Sequence, residues 1–125
     1  MSEGGKVKIL AVDDSLVTLK ILKKTLKETE FEIVGEVTSG MAALELYDEL
    51  KPDLVLLDII MPELDGIETL ERLMQKNSNA KIVMVSSMGA KEKVMESLEK
   101  GAKNFVMKPY EKSTLVEVLK KVYES

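Results

Sequence analysis

Four short, mostly apolar runs each end on residues able to do chemistry. Ile9-Leu10-Ala11-Val12 leads into Asp13-Asp14-Ser15, and Leu54-Val55-Leu56-Leu57 leads into Asp58. Ile82-Val83-Met84-Val85 leads into Ser86-Ser87, and Asn104 to Met107 leads into Lys108-Pro109. Brought to one rim, these residues present three carboxylates, a hydroxyl and an ammonium. Clustered carboxylates repel one another and raise each other's pKa, a conflict that a divalent cation removes. Magnesium suits such a place, since it takes one or two carboxylates, keeps several waters and accepts phosphate oxygens as further ligands. An acidic, metal-loaded pocket with one lysine is suited to phosphoryl transfer, where a protein mainly positions groups and neutralises charge.

What the chain lacks narrows the chemistry further. It has no cysteine and no histidine. Thiolate nucleophiles, Cys-ligated metals, the Ser-His-Asp triad and phosphohistidine are thereby excluded. A nucleophile is left to a carboxylate. A metal is left to oxygen ligands, hence magnesium, manganese or calcium. Neither G-x-x-x-x-G-K-[ST] nor G-x-G-x-x-G follows the first apolar run, where acidic residues stand instead. Nucleotide and flavin cradles are therefore disfavoured, and the phosphoryl group is expected alone. With 22 acids against 18 bases, one arginine, no tryptophan and 4% aromatics, the chain makes a poor nucleic-acid surface.

The elements that must position these residues follow from periodicity. A length of 125 residues with 45% hydrophobic content predicts one folded domain over 1–125, with residues 1–6 a flexible N-terminus. No apolar run is long enough to span a bilayer, and MSEGGKVK lacks a signal-peptide core, so a cytoplasmic protein is expected. Between the apolar runs lie helical patterns. The first carries Leu16, Leu19, Leu22 and Leu26 as its inward stripe. The second covers 41–50 and ends at Lys51-Pro52. The third turns Ile67, Leu70, Leu73 and Met74 inward after Asp65-Gly66, with Asp65 as helix cap. The fourth covers about 91–100 and is capped by Gly101. The last carries Leu115, Val118, Leu119 and Val122. Phe31 to Val37, interrupted by Glu32 and Glu36, reads as a further strand.

The resulting βαβαβαβαβα pattern predicts an α/β fold with a parallel sheet covered on both faces. The charged second strand and the short fifth suit the edges, as in the flavodoxin-like order 2-1-3-4-5. In that order the ligand crevice lies beyond the carboxyl ends of strands 1 and 3. Those are the ends that carry Asp13, Asp14 and Asp58.

In register and across the whole chain, these motifs resemble the receiver domain of response regulators in two-component signalling. Asp13-Asp14-Ser15, Asp58-Ile59-Ile60-Met61-Pro62, Asp65-Gly66, Ser86 and Lys108-Pro109 carry the resemblance. The resemblance implies that Asp58 accepts a phosphoryl group from a partner histidine kinase or phosphotransfer domain. It implies that Asp13, Asp14, Asp58 and the main-chain carbonyl of Ile60 hold Mg²⁺, with Mn²⁺ as a substitute. Ser86 would contact a phosphoryl oxygen and act with Phe105 as the switch, Lys108 would pair with the carboxylate and then the phosphoryl group, and Lys108–Pro109 would be cis. The 91–124 face would meet a downstream protein. Ala11 to Asp14, Ser86 to Gly89 and Gly101 to Phe105 look most like stand-alone chemotaxis receivers, whose partner is the flagellar motor switch, and a monomer is expected. Apolar Ile60 and Met88 flank the site where the family often has polar residues, which predicts slow loss of phosphate. Two alternatives stand beside this reading. One is a receiver from a longer regulator with a DNA-binding or methylesterase output. The other is a Mg²⁺-dependent phosphatase using an aspartyl phosphate, although such enzymes carry D-x-D where this chain has adjacent acids. The leading reading is a switch that modifies itself and not a turnover enzyme.

Overall fold

The computed structural model describes residues 6–87 and 91–125. Five strands and five helices alternate: β1 (Val7–Val12), α1 (Leu16–Thr25), β2 (Phe31–Val37), α2 (Gly40–Leu50), β3 (Leu54–Asp58), α3 (Gly66–Lys76), β4 (Ile82–Ser86), α4 (Lys91–Glu99), β5 (Asn104–Met107) and α5 (Lys112–Glu124). All strand pairs are parallel, in the order β2-β1-β3-β4-β5. The expected flavodoxin-like fold is thus observed, with the charged β2 and the short β5 at its edges.

The continuous apolar runs are explained by burial on both faces. Successive strand residues point to opposite sides. Leu10, Val12, Val55, Leu57, Ile82 and Met84 enter a core shared with α2, α3 and α4. Ile9, Ala11, Leu54, Leu56, Val83 and Val85 enter a second core shared with α1 and α5. Helix starts follow from cap chemistry. The side chains of Ser15, Ser39 and Asp65 accept the amides of Thr18, Ala42 and Glu68, so Asp65 caps α3 as expected. Gly101 after α4 has φ 115°, a conformation glycine adopts without a Cβ clash.

Leu16 departs from its expected inward position and is 64% exposed. At 3.6 residues per turn it lies roughly 90° around α1 from the buried stripe of Leu19, Leu22 and Leu26. Met74 and Val118 are only partly buried at the margins of their cores.

Gly66 couples the fold to the rim. It opens α3, and its amide donates to the Ile59 carbonyl at 2.8 Å. A Cβ here would stand 2.1 Å from the Asp58 carbonyl oxygen and 2.6 Å from Ile59 Cα. Both are backbone atoms that no rotamer change can move. At Gly35, on the edge strand, the first obstacle is the end of the Leu50 side chain at 2.6 Å. Gly66→Ala is therefore expected to cost at least about 2–3 kcal/mol, the upper range for overpacking, and Gly35→Ala clearly less. Urea denaturation of both variants checks the order.

Candidate functional site

Strand register brings the sequence-predicted residues together. Val12 pairs with Leu57, so Asp13 emerges beside Asp58. Asp58 pairs with Val85, which places Ser86 one step further. Ser86 pairs with Met107, which brings up Lys108. Backbone hydrogen bonds hold the strand ends: the Asp13 amide donates to Val37 O, Ile59 to Val85 O and Lys108 to Ser86 O at 2.7 Å.

One carboxylate oxygen from each of Asp13, Asp14 and Asp58 lies within 4.8 Å of the others. Asp13 and Asp58 are buried and Asp14 is exposed. Asp13 is further oriented by the Ser15 amide, which donates to its Oδ1 at 2.9 Å. Lys108 Nζ donates to Asp13 Oδ2 at 2.8 Å and lies 3.6 Å from Asp58 Oδ2. The lysine therefore bridges the two buried acids, with its shorter contact to Asp13 and not to Asp58. Lys108–Pro109 is cis.

The electrostatics follow from this crowding. Burial, then the charge of Asp13, pushes the Asp58 carboxyl up to about 6; Lys108 and the Ile60 amide oppose the rise, and Asp14 adds to it. Burial works against the charge on Lys108, but the hydrogen bond to Asp13 and the two carboxylates outweigh it, so its pKa is raised. Tyr110 beside the site is raised to about 12 by burial and by the charge of Asp13. The all-oxygen donor set fits a hard divalent cation, and the unrelieved repulsion on Asp58 is what such an ion would relieve.

The remaining predicted residues stand around this centre. Ser86 is buried, and its Oγ donates to the Ser87 carbonyl at 3.0 Å. Ile60 is 54% exposed directly after the acid strand end. Phe105 is half-buried against the core on the α2–α4 side. Met88 lies outside the described residues. Sequence reasoning treated Gly66 only as a turn residue; the signal available was a glycine immediately after a cap aspartate.

The family model for the response regulator receiver domain matches residues 9–120. The chain belongs to this family. It is 43% identical to the chemotaxis protein CheY of Listeria monocytogenes over 92% of this chain and 97% of that protein. It is also 43% identical to CheY of Thermotoga maritima, over 92% and 96%. Among solved structures it resembles the CheX–CheY–BeF₃–Mg²⁺ complex of Borrelia burgdorferi, with TM-score 0.90 and 32% identity over 98% of this chain and 94% of that one. The response regulator domain of Thermotoga maritima CheB is also similar, with TM-score 0.80 and 34% identity over 95% of each chain. The chain is thus a receiver domain closely related to CheY.

A carboxyl raised in the folded state favours folding while protonated and loses that contribution as pH rises from 3.8 toward about 6. In metal-free protein at neutral pH, Asp58→Asn is accordingly expected to stabilise the fold by on the order of 2 kcal/mol. The advantage shrinks as pH falls from about 6 toward 4. Urea titrations of both proteins in chelator across this range check the size and the sign.

Proposed function

We propose that the chain is a two-component response regulator that accepts a phosphoryl group on Asp58 from a histidine kinase or phosphotransfer domain, in the cytoplasm and in chemotaxis. The observation that carries the reading is the packing of three strand-end carboxylates within 4.8 Å, two of them bridged by Lys108. Asp13, Asp14, Asp58 and the Ile60 carbonyl would hold Mg²⁺. The ion supplies charge neutralisation for the incoming phosphoryl oxygens.

The chain's own groups do the rest. Asp58, at about 6, is mostly ionised at neutral pH and offers an oxygen lone pair to phosphorus. The new P–O bond forms as the P–N bond of a phosphohistidine donor breaks, and the electron pair returns to the donor imidazole. Lys108 lies within reach of the added charge. The Ser86 hydroxyl, one strand over, would leave the Ser87 carbonyl for a phosphoryl oxygen. That movement would open space toward Phe105 on β5 and bias the 91–124 face, where Met95, Met107 and Tyr123 are exposed. A downstream protein, with the flagellar motor switch as first choice, would read this face through a population shift. The chain then acts as a signalling switch and a monomer, and it modifies itself without turning over substrate. Relatives at 43% identity named CheY over nearly their whole length favour this over a receiver belonging to a longer regulator.

Intact-mass spectrometry after acetyl phosphate treatment tests the chemistry. One phosphoryl group is expected with Mg²⁺, none in chelator and none in Asp58→Asn. A second adduct site, or labelling of Asp58→Asn, overturns the assignment. Apolar Ile60 also shields the phosphorylated carboxyl from water. Phosphate loss is expected to be several-fold faster in the Ile60→Asn/Met88→Glu variant, followed as decay of the phosphorylated mass; equal or slower decay counts against the shielding.

A further inference from the structure

Away from the acidic rim, an otherwise acidic protein concentrates positive charge in one place. Lys20, Lys23, Lys24 and Lys27 recur at spacings of three and four along α1 and its C-terminal end. These spacings bring the side chains onto one face, where like charges disfavour the helix. Lys6, just before β1, faces the same open groove of about 710 Å³. Its floor is apolar, made by Leu26, Phe31 and Ile33. All five lysines are exposed, and none belongs to an ion pair among the described residues. The helix dipole accounts for Lys23 and Lys24 in the last turn of α1, but not for Lys20 or Lys6. Glu28 and Glu32 also line the groove, so five positive charges meet two negative ones.

The edge position of β2 explains the apolar floor. β2 pairs only with β1, and Ile33 is left partly buried at the margin of the α1–α5 core. We propose that this groove docks an acidic, partly apolar segment of a partner protein, with carboxylates on the lysine rim and apolar side chains over Ile33. A nucleic acid fits less well. The one arginine, Arg72, lies on α3, and the groove offers no exposed aromatic on which bases could stack. Lysines supply compact point charges suited to single carboxylates without the planar fork that phosphates favour. The groove shares no residue with the Asp13–Asp14–Asp58 cluster.

The test uses the full chain and a fluorescein-labelled synthetic peptide of alternating glutamate and leucine. Fluorescence anisotropy gives affinity, and amide chemical-shift mapping gives location. Binding is expected to shift amides over 20–33 and to weaken about tenfold when salt rises from about 0.1 M to about 1 M, as the Debye length falls from about 10 Å to about 3 Å. Lys20→Gln/Lys24→Gln/Lys27→Gln is expected to weaken it at least as much while acetyl phosphate still labels Asp58, which also shows that the variant is folded. Four results overturn the proposal: no binding at low salt, shifts centred elsewhere, equal binding of a glutamine–leucine control peptide, or tighter binding of oligothymidylate or phosphatidylserine vesicles. Failure of Asp58 labelling alone would strike the phosphorylation reading and leave the groove untouched.

Discussion

Parallel register is the constraint on which the site depends. Because β1, β3, β4 and β5 run the same way and are paired without slip at their carboxyl ends, each chain leaves the sheet next to its neighbour's exit. A one-residue slip in any of these pairs would turn every side chain of that strand to the other face. It would exchange the two cores and pull a carboxylate or the lysine off the rim. Burial on both faces therefore sets the site geometry. The β1–β2 pair carries the register irregularity, between Ile9 and Leu10, and β2 contributes none of the proposed site residues.

That geometry imposes an electrostatic conflict. Asp13 and Asp58 are both buried, and Lys108 supplies one positive charge for the pair. Lys108 holds Asp13 more closely than Asp58, and burial, then the charge of Asp13, raises the Asp58 carboxyl to about 6. Asp58 is thereby a buried carboxyl, raised to about 6, with an ammonium 3.6 Å away. Gly66 preserves this state by letting α3 approach the Asp58 and Ile59 backbone more closely than any Cβ allows. The end of β3 therefore carries an electrostatic cost to stability that the fold tolerates.

The rim also has a mechanical connection to the rest of the domain. The Lys108 amide is held by the Ser86 carbonyl at 2.7 Å, and Phe105 pairs with Met84 two residues earlier on each strand. Ser86 and Lys108 thus stand at the ends of β4 and β5, the strands that lead to α4 and α5. The lysine groove lies on the opposite edge of the sheet, next to β2. β2 and β5 are the two edges of the sheet, so the groove and the β5 side do not overlap.

Much was legible from residues alone. Uninterrupted apolar runs announce strands buried on both sides, and the charges of β2 with the brevity of β5 announce edges, because partial solvent exposure tolerates both. The cap aspartate at 65 and the glycine at 101 are local signals, set by backbone hydrogen bonding and φ preference. Leu16 misled, since a spacing of three drifts off a helical stripe. Lysine spacing on α1 was present in the chain, but its apolar floor comes from β2. Residue types and their order thus determined the fold class, the absence of thiol and imidazole chemistry, and which groups stand at the strand ends. Only the tertiary structure decided that Lys108 binds Asp13 more closely than Asp58, that Gly66 abuts the Asp58 backbone, and that five lysines ring one groove. These depend on distances between segments far apart in the chain, which packing sets and local sequence does not encode.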